Sequence, residues 1–196
     1  MAAALLGLFM TAAGSTPTPS PGLDREAADR LQRKIDEIAR NGAARPVKPK
    51  TTRFSENEIN SYLAFNLREK TPAGLTDPRV ALLGGGRLAG RVIVDLDEFK
   101  RQRGTGGFAD PLTYVSGRVP LTGRGVLRTR AGKGRFYFES AELRGIPLPK
   151  EIVRELVSFF SRTPANPAGI DMDAPFDLPA EIREIAVETA SVTVIQ

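Results

Sequence analysis

Apolar residues recur at helical spacing early in the chain and at alternate positions through its middle. Ala27, Leu31, Ile35 and Ile38 fit one helix face, with Asp24 placed as N-cap and Asn41-Gly42 as the close. The opposite face is charged, so this helix either docks on the main domain or serves as a mobile amphipathic arm. The segment FSENEINSYLAFNL from Phe54 carries a stronger local signal. Ser55 and Glu58 have the spacing of a capping box, and Phe54 and Ile59 that of a hydrophobic staple. Ile59, Tyr62, Leu63 and Leu67 then form one stripe, which predicts a helix over about 55–69 packed on a sheet.

Strand patterns follow. Val80 and Leu82 alternate before Gly84-Gly85-Gly86, which reads as a turn; Leu88, Val92 and Val94 then share one strand face. Asp97 to Arg103 is long enough for a short helix, and Gly104 to Gly107 reads as a loop. Tyr114 to Ala131 predicts a long strand, and Pro120 argues that its first part is an edge or a bulge. Gly132-Lys133-Gly134 is the expected hairpin turn, after which Phe136 and Phe138 point to one side and Tyr137 to the other. Ile152, Val153, Leu156, Val157 and Phe160 predict a third helix after Pro147 and Pro149. Ile185, Val187, Val192 and Val194 close the chain as one or two strands with a turn near Thr189 to Ser191. This order does not alternate strand with helix, so it predicts an α+β domain of antiparallel strands rather than a doubly wound fold.

Composition narrows the chemistry. The 196 residues include no histidine, no cysteine and no tryptophan. A Ser-His-Asp triad, a thiolate nucleophile and a Cys/His metal site are therefore excluded, and no Gly-x-Ser-x-Gly elbow or phosphate loop occurs. Asp95 and Asp97 share a strand face, and Asp171, Asp173 and Asp177 loosely resemble the start of a calcium loop without its Gly and closing Glu. We expect no catalytic set, no metal and no cofactor. Net charge is +5 and unevenly spread: Arg79 to Arg135 holds 12 basic and 4 acidic residues, an excess of +8, leaving −3 elsewhere. Arg124, Arg128 and Arg130 fall on one face of the long strand if it stays regular, with Lys133 and Arg135 beside them. That face suits plain solvation or an anionic membrane surface. Nucleic acid is not expected, because the aromatic residues that would interleave with the cations belong mostly to the core face.

The apolar faces have two readings. Either they bury one another, or the sheet and helix fail to close and leave a cleft for an acyl chain. In the second case Ile59, Tyr62, Leu63, Leu67, Val92, Val94, Phe136, Phe138, Leu156 and Phe160 line it. The series FSENEINSYL, VALLGGGRLAGRVIVDL, VSGRVPLTGRGVLRTRAGKGRFYFESAELRGIPLP and FDLPAEIREIAVETASVTV resembles small exported bacterial lipid-binding proteins of the LmeA type, related to half of a tubular lipid-binding (TULIP) module. The resemblance covers about residues 52–196 and implies a long curved antiparallel sheet wrapped around a long helix, with lipid held in an apolar groove. It marks Ser55, Leu178 and Pro179 as fold positions and supplies no catalytic residue.

The expected organisation is a signal peptide over 1–14, a linker and amphipathic helix over 15–50, and a lipid-binding-like domain over 51–196. The apolar run Met1 to Met10, followed by small residues and a Thr/Pro/Ser stretch, supports that order and a periplasmic or otherwise extracytoplasmic location. The expected partner is a lipid or amphiphile. The alternative is a non-enzymatic structural or protein-interaction module of the cell envelope, with an envelope protein as partner.

Overall fold

A computed structural model describes residues 22–103 and 115–196. The expected signal peptide, most of the linker and the loop at Gly104 to Gly107 lie outside the described residues. Helix α1 (Arg25–Ala43) starts where expected, with the Asp24 carboxylate accepting the Glu26 N–H at 2.8 Å. Gly42 lies inside α1 rather than closing it. A Cβ there would sit 2.3 Å from the Ala180 carbonyl oxygen, so close packing, not helix termination, requires the glycine. Strand β1 (Thr51–Ser55) leads into α2 (Glu56–Phe65) through the full capping box of Ser55 and Glu58. The sequence then forms β2 (Leu75–Gly84), β3 (Arg87–Asp95), α3 (Leu96–Arg103), β4 (Arg118–Arg130), β5 (Lys133–Leu143), β6 (Ile146–Pro147), α4 (Lys150–Phe160), β7 (Phe176–Asp177), β8 (Glu184–Glu188) and β9 (Ser191–Ile195).

Two antiparallel sheets result. One has the order β1-β9-β8; the other has the order β2-β3-β4-β5-β6, with β7 added to the start of β5. Gly85 and Gly86 turn β2 into β3, both at positive φ as a type I′ turn requires. The β4–β5 turn is Ala131-Gly132, also both at positive φ, so Lys133 and Gly134 belong to β5 and Arg130 pairs with Lys133. Pro120 is neither on an edge strand nor at a bulge: it pairs with Ile93 inside the sheet. Its carbonyl accepts the Arg144 N–H beyond the last β4–β5 pair. Its missing N–H points the same way, past the end of the ladder, so no sheet hydrogen bond is lost.

The inner face of the six-stranded sheet carries two cores. Val80, Leu82, Leu88, Leu127 and Phe136 pack with α1, α2 and the three-stranded sheet. Leu75, Val92, Val94, Val119, Leu121 and Leu143 pack with α3 and α4. Phe138 is half-buried and touches both. This corrects the expectation of one long curved sheet wrapped on one long helix. Neither sheet is closed or strongly curled, and the helices α2 and α4 that lie on the six-stranded sheet are short. Lengths explain the difference. The 13 residues of β4 span roughly 43 Å. The ten residues of α2 reach only about 15 Å and the 11 of α4 about 17 Å, so each falls short of half that length.

Single side chains seal the sheet edges. The Asn60 amide donates to the Val80 carbonyl and accepts its N–H, both at 2.8 Å, on the free edge of β2. The Thr129 hydroxyl likewise accepts the Ile185 N–H at 2.7 Å and donates to its carbonyl at 3.0 Å, joining the two sheets. Each contact satisfies two buried backbone groups at once. Glu58, 9% exposed at its side chain, accepts from the Ser55 N–H and from Lys34 Nζ, which tethers α1 to α2.

Candidate functional site

The residues expected to line a lipid groove do not come together. Ile59, Tyr62, Leu63, Leu67 and Phe136 are buried in the core under α1 and α2. Val92, Val94, Leu156 and Phe160 are buried in the other, under α3 and α4. Phe138 lies between. Two surface concavities, of about 720 and 620 Å³, are lined by other side chains. The larger lies along the outer side of α4 against residues 168–173. There Asp173 pairs with Lys150 and Arg154, both at 2.6 Å, and these hydrogen bonds and charges hold its carboxyl below the ordinary range.

The expected acidic constellations take local structural roles. Asp95 accepts the Asp97 N–H at the start of α3, and Asp97 accepts the Gly117 N–H. Asp171 accepts the Asp173 N–H, while Asp177 pairs with Lys133. Asp171 thus closes a turn with Asp173, while Asp173 and Asp177 make three ion pairs between them.

The outer face of the six-stranded sheet has a different character. Strand alternation sends Arg79 of β2, Arg87 and Arg91 of β3, and Arg118, Arg124, Arg128 and Arg130 of β4 to this side. Lys133 and Arg135 of β5 join them. Both α2 and α4 pack on the inner face, so neither covers these cations. Between them lie Ala81, Ala89, Ile93, Pro120 and Val126, all half-buried, and the exposed Leu83 and Tyr137. The three arginines predicted from β4 alone share this face, with Arg124 half-buried and Arg128 and Arg130 exposed.

The two ends of this face are wired differently. Near the start of β2, Arg79 and Arg91 stand directly opposite each other in the ladder. Asp77 bridges them, at 2.7 Å to Arg79 and 3.5 Å to Arg91. At the hairpin end Arg128 stands opposite Arg135, and Arg130 opposite Lys133. Like charges directly opposite are destabilising. Lys133 is relieved by Asp177. Among the described residues, no carboxylate lies within ion-pair distance of Arg128, Arg130 or Arg135. Instead, Arg128 and Arg135 both approach the Tyr137 ring, each 5.7 Å from its centroid. The 620 Å³ concavity opens here, bounded by the Gly85-Gly86 turn and by β8.

The sequence reading missed Tyr137 as an anchor and Arg79, Arg87 and Arg91 as members of the face. A partial signal existed: Arg87 and Arg91 fall opposite in parity to Leu88, Val92 and Val94. The chain matches no protein-family model and no curated protein sequence.

Proposed function

We propose that this protein is a non-enzymatic module that docks on an anionic membrane surface through the outer face of its six-stranded sheet. The observation that carries the reading is the group of cations on a face that α2 and α4 leave uncovered, with Arg128, Arg130 and Arg135 free of carboxylate partners among the described residues. Basic residues held near an anionic leaflet contribute about 1 kcal/mol each. Four to six in simultaneous contact reach about 4–6 kcal/mol, the range of reversible peripheral attachment. Among the described residues no helix is long and apolar enough to cross a membrane. Export, for which the Met1 to Met10 run argues, would set the face against an envelope leaflet. Carriage of a lipid in an internal groove asks for open volume beside Ile59, Val94, Leu156 and the other side chains named for it. Their burial in two separate cores favours the surface reading.

Co-sedimentation with phosphatidylcholine vesicles, with and without phosphatidylglycerol, tests the proposal. Binding to the anionic vesicles alone, lost as salt is raised, is the expected result. Absence of binding to anionic vesicles at low ionic strength overturns it.

A further inference from the structure

We infer, resting on the docking face proposed above, that the groove at the β4–β5 hairpin end is a site for a phosphomonoester dianion, carried by a lipid headgroup or free. Arg128 and Arg135 face each other across the ladder and converge on one Tyr137 ring, with Arg130 one rung further out. All three border the same 620 Å³ concavity. A guanidinium presents a planar fork of donors that matches phosphate oxygens two at a time. The Tyr137 ring attracts both guanidinium groups, each 5.7 Å from its centroid, without neutralising their charge.

The folded chain itself brings these like charges together, which is unfavourable until an anion arrives between them. A monoester supplies three terminal oxygens and a charge of about −1.5 to −2, enough to answer more than one fork. A diester offers two terminal oxygens and a single charge, and satisfies fewer of the donors. Glu184 on β8 borders the opposite wall and repels either anion. The bridged pair Arg79 and Arg91 has no such opening for a ligand, because Asp77 already occupies the anion's place.

The test uses the full chain and phosphatidylcholine vesicles carrying either phosphatidic acid or phosphatidylglycerol at matched surface potential. Two double variants remove the same charge: Arg128→Gln with Arg135→Gln inside the groove, and Arg79→Gln with Arg91→Gln outside it. The wild type is expected to prefer phosphatidic acid by about tenfold. The groove variant is expected to lose that preference, and the outer variant to weaken both kinds of binding while keeping it. Thermal melting checks that both variants fold. Arg128→Lys with Arg135→Lys, which keeps the charge and removes the forks, is a second variant expected to lose the preference. Calorimetric titration with glycerol 3-phosphate separates the sources. Uptake abolished in the groove variant supports a site for the phosphoryl group alone, and no uptake alongside an intact vesicle preference supports a headgroup at the bilayer. Equal, salt-sensitive binding of both vesicles by the wild type, with no uptake of glycerol 3-phosphate, overturns the groove site and leaves the docking face standing. Groove-dependent uptake of glycerol 3-phosphate without binding to either vesicle supports the groove and overturns the docking face. Failure of all three ligands to bind overturns both.

Discussion

The six-stranded sheet has two faces made from alternate residues of the same strands, and they solve opposite problems. Inward residues such as Leu88, Val94, Leu127 and Leu143 are nearly dry. Outward neighbours such as Arg87, Arg91 and Arg128 are exposed cations. The inner face is fixed by packing, where each side chain has many partners and a small change is costly. The outer face is fixed by nothing comparable, since an exposed charge changes stability little. Its excess of positive charge, with like residues facing each other at the hairpin end, is better explained by what it meets than by what it stabilises.

The sharpest test of that contrast is Leu156→Ala. Leu156 is 1% exposed inside the core under α4. Removing it from a filled interior should cost about 2–5 kcal/mol, read from urea unfolding. A cost under about 1 kcal/mol would mean that its surroundings are not close-packed, and would return that face to the reading of an open groove.

Asn60→Ala comes next. The amide serves both backbone groups of Val80, which is 4% exposed. Its removal strands a buried donor and a buried acceptor and should cost roughly 2–4 kcal/mol. Amide exchange at Val80 should speed up by more than the global loss of stability accounts for, because the lesion opens the edge of β2 locally.

Asn60 also shows where sequence reading succeeds and where it stops. The run from Ser55 to Leu63 announced its helix because a capping box and an apolar stripe are local patterns, complete within a few residues. The use of Asn60 depended on a strand 20 residues away and was not legible. The same division holds elsewhere. Phe136 and Tyr137 could be sent to opposite faces by alternation alone. The extra residue Glu139 in β5, however, shifts the parity, so that Phe136 and Leu143 share the inner face despite their odd spacing. Gly132-Lys133-Gly134 looked like the hairpin turn because glycine tolerates positive φ; the turn is Ala131-Gly132, with the non-glycine Ala131 also at positive φ. The basic face was legible only over β4 and its hairpin end at Lys133 and Arg135. Its extension to Arg87 needed the pairing of Arg87 with Val126, which no periodicity states. The ten apolar residues expected to line a groove fall instead in or between two cores, a division that follows from helix lengths and strand register together.

A smaller effect separates the buried tether of α1 from the exposed ion pairs. Burial pushes the Glu58 carboxyl up, and that is the largest single influence on it. The hydrogen bond from Lys34, the Ser55 N–H and the charges of Lys34 and Arg30 together outweigh it, leaving Glu58 below the ordinary carboxylate range. A carboxyl depressed by folding contributes its full stability above the unfolded pKa and loses it as pH falls through the folded value. Wild-type stability should therefore decline on acidification, and Glu58→Gln should flatten part of that decline. Asp173 and Glu37, held down by Lys150 with Arg154 and by Lys50 respectively, sustain the rest. At neutral pH the substitution should cost about 1 kcal/mol, through the damaged capping box and tether. An unchanged pH slope would show that Glu58 titrates no differently in the folded and unfolded chains.

The smallest effect carries a sign. Arg128→Gln removes one member of a like-charge pair that no carboxylate relieves among the described residues, and should raise stability by a few tenths of a kcal/mol. Asp77→Asn acts in the opposite direction. Asp77 sits at φ 51°, a conformation asparagine also accepts, so the backbone stays and only the bridge between Arg79 and Arg91 is lost. Stability should fall by a similar amount. Both changes should shrink as salt is raised, because the groups are exposed and screening reaches them. Paired melting curves at low and high salt read the difference. Opposite signs at low salt would show that one end of the outer face is neutralised within the fold while the other awaits an anion. Equal signs would mean that the arginines at the hairpin end are already answered by the protein, removing the electrostatic reason for a ligand there.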